Sequence, residues 1–139
     1  MDHFLLLMNP SASFQEKVAR IVEKDPTYAP EAYFFVRDAL ETAVKMRKKK
    51  TKSPSPHVSA AELLEAFRLQ ALKEFGPMAI TVLEYWGVRS CEDVGHLVFK
   101  LVEAGIFGKT EEDTLDSFRG HYDFEDAFLK PFKPTTRSS

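Results

Sequence analysis

Between Ser90 and Gly105 the apolar residues Val94, Leu97, Val98, Leu101 and Val102 recur on one helical face. Ser90 supplies an N-cap oxygen and Asp93 follows three positions later, while Gly105 ends the pattern. A one-sided stripe of this kind needs other elements to cover it. The rest of the chain reads as a supply of them. Ser13-Phe14-Gln15-Glu16 has the form of a capping box, and Val18, Ile21 and Val22 follow on one face until Asp25-Pro26. A second helix starts at Pro30, a residue suited to the first helical position, and carries Tyr33, Val36, Leu40 and Val44 at helical spacing.

Ser59-Ala60-Ala61-Glu62 is a further capping box, with Val58 and Leu63 placed as a hydrophobic staple. The helix after it uses Leu63, Leu64, Phe67, Ala71 and Phe75 until Gly76-Pro77 breaks it. A short helix over Met78 to Trp86 is expected next, with Gly87 as its C-terminal cap. Beyond Gly105 the periodicity weakens. Ile106-Phe107 and Thr114–Phe118 fit either a small β-hairpin or a strand followed by one helical turn. Asp123 caps a last short helix to Phe128, ahead of Pro131 and Pro134.

These elements predict a mostly α protein, a compact bundle of five or six helices with a possible small hairpin near residues 106–118. Its 139 residues suit one hydrophobic core. Residues 1–12 read as a flexible leader, 13–130 as the domain with a basic linker at 45–57, and 131–139 as a frayed tail. Phenylalanine is common, with 12 copies, as befits core filling or a sticky surface. The single cysteine, Cys91, excludes an internal disulfide and fits the reducing cytoplasm. The apolar run Phe4–Met8 is too short to span a bilayer, and no basic segment precedes it, so neither a membrane span nor a signal peptide is expected.

Four segments are distinctive when taken together: Tyr28–Val36, Leu83–Ser90, Asp93–Phe99 and Tyr122–Phe128. They resemble a family of short planctomycete and verrucomicrobial proteins with no assigned function, over about residues 14–130. The resemblance implies a bacterial protein and carries no activity with it.

Charge supplies the strongest feature outside the core. Lys45, Arg47, Lys48, Lys49, Lys50 and Lys52 place six positive charges in eight residues. Such a run suits the negative end of a helix dipole, and it equally suits phosphate neutralisation with counterion release. With no aromatic residue interleaved for base stacking, RNA or ribosome contact through it would be blind to sequence. Specific DNA reading by the 91–104 helix is not expected, because Glu92, Asp93 and Glu103 there outnumber Lys100 and would repel phosphate.

No catalytic spacing emerges: there is no P-loop, GxGxxG, GxSxG or HExxH, so no catalytic residue, metal or cofactor is expected. Cys91 sits near a helix N-terminus, but His96 lies about 140° around the same helix and points elsewhere. Asp93 and His96 share a face, where a local hydrogen bond suffices to explain them. Tyr85 and Trp86 stand at a helix end, and Tyr122, Phe124 and Phe128 form an aromatic-acidic tail. These five residues are candidates for a partner surface or, alternatively, for packing within the domain. The expected function is therefore a non-enzymatic protein-interaction module, with a protein partner or self-association. RNA or ribosome association through residues 45–52 is the alternative, and an enzyme with a dispersed site the third reading.

Overall fold

A computed structural model describes residues 4–6, 12–51, 58–109 and 114–133. Five α-helices dominate it: α1 (Ala12–Lys24), α2 (Pro30–Thr51), α3 (Ala60–Phe75), α4 (Ala79–Tyr85) and α5 (Cys91–Glu103). Two three-residue strands, β1 (Phe4–Leu6) and β2 (Phe107–Lys109), pair antiparallel, with Leu5 opposite Gly108. The chain is a compact, mostly α bundle.

The long helix α2 is the spine. Ala32, Tyr33, Val36, Ala39, Leu40 and Ala43 form its buried stripe. The three alanines let α3 approach closely, and α3 answers with Leu63, Leu64, Phe67 and Ala71, all at most 1% exposed. Helix α5 also packs on α2 and closes the core with Val94, Leu97, Val98 and Leu101, its apolar stripe. Gly95 of α5 lies directly beneath Phe118, where a Cβ atom would come within 2.9 Å of the ring. The tail returns over α3 and α4, and buried Phe124 and Phe128 meet edge to face at 4.9 Å.

Local signals account for most boundaries. Ser59 and Glu62 complete their capping box, with Glu62 N donating to Ser59 Oγ (3.1 Å) and Ser59 N donating to Glu62 Oε1 (2.7 Å). Ser90 Oγ accepts from Asp93 N at 3.2 Å. Gly87, at φ +92°, turns the chain after α4 so tightly that Trp86 O accepts from Ala29 N at 3.0 Å.

Several expectations need correction. The possible hairpin near 106–118 does not form, and the alternative of a strand followed by one helical turn holds: β2 pairs with β1 from the other end of the sequence, and Leu115–Phe118 is a 3-10 turn that buries Phe118. Phe4–Leu6, within the expected leader, is thus a strand. Helix α1 begins at Ala12, so Ser13 lies inside it rather than ahead of it. Pro77 at the start of a 3-10 turn, Gly76–Met78, delays α4 to Ala79. The last helical segment, Glu125–Leu129, is π-helical, with Asp123 Oδ1 accepting from Glu125 N at 2.8 Å. The basic linker is helical as far as Thr51; residues 52–57 of it, like the tail from 134, lie outside the described residues.

Candidate functional site

Helical geometry divides the basic run. Lys45, Lys48 and Lys49 are spaced i, i+3, i+4, so they share one face of α2, and all three are exposed. Arg47 is about 200° away from Lys45 around the axis and turns inward instead. It grips Glu62 of α3 in two hydrogen bonds, both 2.9 Å from Nη1. The Glu62 carboxylate therefore caps α3 and anchors the end of α2 at once. Lys50 belongs to the backbone of α2, but its side chain, and all of Lys52, lie outside the described residues.

The aromatic candidates separate too. Trp86 packs against Phe35 (5.5 Å between centroids) and Phe75 (5.7 Å), whereas Tyr85, one position earlier, is 86% exposed. Tyr28 and Tyr33 are buried in the core and present no surface beside Tyr85. The Tyr122 hydroxyl donates to Leu64 O at 2.8 Å, and its ring stacks on Phe124. Burial drives its pKa upward. Tyr122, Phe124 and Phe128 are thus used in docking the tail on its own domain. What remains outside is a stripe on α4 and the turn before it. Met78, Val82 and Tyr85 follow at i, i+4, i+7, with Met78 55% exposed.

Helix α5 presents a polar face to the 25–28 loop. Tyr28 donates its hydroxyl proton to Asp93 Oδ1 at 2.6 Å, and His96 Nδ1 lies 3.2 Å from the Tyr28 hydroxyl oxygen. Since that hydroxyl has one proton and gives it to Asp93, Nδ1 is the donor in its contact with the hydroxyl. Asp93 Oδ2 accepts from Arg89 N at 2.8 Å. Burial, and then the Asp93 carboxylate, push the Tyr28 pKa upward, the reverse of what an acid or nucleophile at neutral pH requires. One turn further, Lys100 meets Asp25 at 2.5 Å and, with Thr27, holds its carboxyl down at about 2.

Beside that ion pair opens a cleft of about 340 Å³ between α1 and the C-terminal end of α5. Ile21 and Ala104 give it an apolar lining. Lys17, Arg20, Lys24 and Lys100 rim it with positive charge, against Asp25 and Glu103. No run of consecutive charges marks this cluster in the sequence, because its cations are dispersed. The spacing Lys17, Arg20, Lys24 on one helical face was the available signal.

The remaining reactive groups are occupied. Cys91 is buried, its thiol donates toward Tyr122 O at 3.4 Å, and burial raises its pKa. His121 Nε2 is 2.7 Å from Ser117 O. Among the described residues no group of three or more His, Cys, Asp or Glu is placed to hold a metal, and no helix is long and apolar enough to cross a membrane. His57 lies outside them. The Tyr33 hydroxyl is fully buried with no hydrogen-bond partner among the described residues, and burial pushes it up to about 12. Comparison with protein-family models, curated proteins and solved structures finds no match to this chain.

Proposed function

We propose that this is a non-enzymatic, cytoplasmic protein-interaction module of a bacterium, and that it meets its protein partner through the outer face of α4. The observation that carries this reading is the 86% exposure of Tyr85 beside Met78, in a protein whose other aromatic side chains are mostly packed inward. Tyrosine and methionine are enriched where proteins meet, since each offers a large contact area and adapts to its partner. Three residues make the centre of an interface and not all of it; a standard one engages about 20–30 residues a side. The polar rim expected of such a centre is available in exposed Thr81, Glu84 and Arg89.

A photo-crosslinking residue placed at position 85, and at exposed Glu23 as control, tests this in cells. A discrete protein adduct from position 85 that disappears on Met78→Ser supports the reading. Equal, diffuse labelling from both positions removes it.

A second reading has its own observation: Lys45, Lys48 and Lys49 share one exposed face, and no described carboxylate lies within ion-pair distance of them. This favours sequence-blind RNA or ribosome association. Three phosphate contacts give a log–log salt slope of about −2 on single-stranded RNA. Raising salt fourfold then weakens binding about twentyfold. RNA binding at two salt concentrations, beside the Lys48→Ala/Lys49→Ala variant, checks it. Affinity unchanged in the variant would exclude this face.

A further inference from the structure

We propose that the cleft between α1 and the C-terminal end of α5 is a binding site for a small phosphate-bearing molecule, held by Lys17, Arg20 and Lys24. Nothing in the interaction reading requires this site, and α4 takes no part in lining it.

The charge balance at the cleft carries the inference. Lys17, Arg20 and Lys24 come from successive turns of α1 and converge on one opening. No described carboxylate is within ion-pair distance of any of them. The nearest acid, Asp25, is already engaged by Lys100 and by the Thr27 hydroxyl and amide. Glu103 is the other carboxylate at the rim, facing three unengaged cations. Two helix ends oppose the anion, since α1 finishes at Lys24 and α5 at Glu103. Each contributes roughly half a negative charge, less than the surplus of two positive charges that the rim side chains leave.

Like charges at three and four residue spacing repel one another. A dianion seated among them removes that repulsion and gains charge-assisted hydrogen bonds, with Arg20 able to present two donors in parallel. Ile21 and Ala104 offer an uncharged part of the ligand an apolar contact. At about 340 Å³ the space sits at the lower end of small-molecule sites. The chemistry implied is a compact phosphate ester or diphosphate.

The test is an amide-resolved NMR titration of the full chain with pyrophosphate at low salt, repeated with sulfate at equal ionic strength and with a uridine oligonucleotide. Arg20→Gln/Lys24→Gln serves as the site variant and Lys48→Ala/Lys49→Ala as the control. Both pairs are exposed, so folding is retained and the urea midpoint verifies it. The expected result is saturable shifts over residues 17–25 and 100–105 with pyrophosphate. Affinity should fall at least about tenfold in the site variant, the loss of one charge-assisted contact, and hold in the control. No shifts at millimolar pyrophosphate, equal shifts with sulfate, or shifts there from the oligonucleotide alone would each overturn the proposal. None of these outcomes bears on crosslinking at Tyr85.

Discussion

Gly87→Ala should be far more damaging than alanine at another left-handed glycine, and the comparison separates a close contact from a backbone preference. Gly87 (φ +92°) and Gly120 (φ +76°) both occupy the region that side chains avoid. At Gly120 a Cβ would meet nothing within 4 Å. There the cost is the conformation alone, about 1–2 kcal/mol, partly offset by the lower entropy of the unfolded alanine chain. At Gly87 the Cβ would sit 2.6 Å from Thr27 O and 3.3 Å from Tyr28 Cδ1. The obstacle is backbone, and it cannot rotate aside.

Relief requires the 25–29 loop to withdraw from the end of α4. That breaks the bond from Ala29 N to Trp86 O, worth about 1 kcal/mol. It also displaces the buried Tyr28 ring, which is pinned by Asp93, for about 1–2 kcal/mol of disturbed packing. Gly87→Ala is therefore expected to lose about 3–4 kcal/mol and Gly120→Ala about 1 kcal/mol. Urea unfolding followed by Trp86 fluorescence measures both. At an m-value of about 2 kcal/mol/M the midpoints should differ by at least about 1 M. Equal losses, within about 0.5 kcal/mol, would refute the close approach of the loop to α4.

The remaining predictions concern charge and buried polarity. The Asp25 carboxyl is held at about 2 in the fold against an ordinary value of 3.8. Its contribution to stability is therefore present above pH 4 and lost as pH falls toward 2, so the difference in urea midpoint between the native chain and Asp25→Asn should shrink across that window. A pH-independent difference would show that Lys100 does not act on this carboxylate. Tyr33→Phe removes a buried hydroxyl with no described partner, and should be neutral or stabilise by up to about 1 kcal/mol in thermal unfolding. A clear loss there would mean that a bound water or ligand satisfies the hydroxyl. Arg47→Ala should leave the salt slope of any RNA binding unchanged, whereas Lys48→Ala/Lys49→Ala should flatten it by about 1.4. A flattened slope in Arg47→Ala would place that guanidinium on phosphate instead of on Glu62.

What the sequence disclosed was governed by distance along the chain. Ser59 and Glu62 make their capping box within one turn, and the α5 stripe needs only its own period, so both were legible. The pairing of Phe4–Leu6 with Phe107–Lys109 was not, because strands of three residues carry almost no pattern and their partners lie about a hundred positions apart. Asp93 and His96 were readable as neighbours on α5, but the Tyr28 hydroxyl that joins them arrives from 65 residues earlier. The cleft combines α1 with the end of α5 in the same way, so its charge is invisible to any count of consecutive residues.

The basic run shows how a local signal can be both correct and misleading. Residues 45–50 of it do form the end of a helix, as their fit to the dipole suggests. A linear count, however, treats Arg47 as equivalent to its neighbours, although 100° per residue sends it toward α3. There it meets a carboxylate already committed to the cap at Ser59, so one acid serves two helices. Arg47 therefore positions the end of α2 against α3, and that fixed end determines where Lys45, Lys48 and Lys49 are displayed. The cation the fold uses and the cations it leaves exposed are separated by helical angle, a property that composition does not contain.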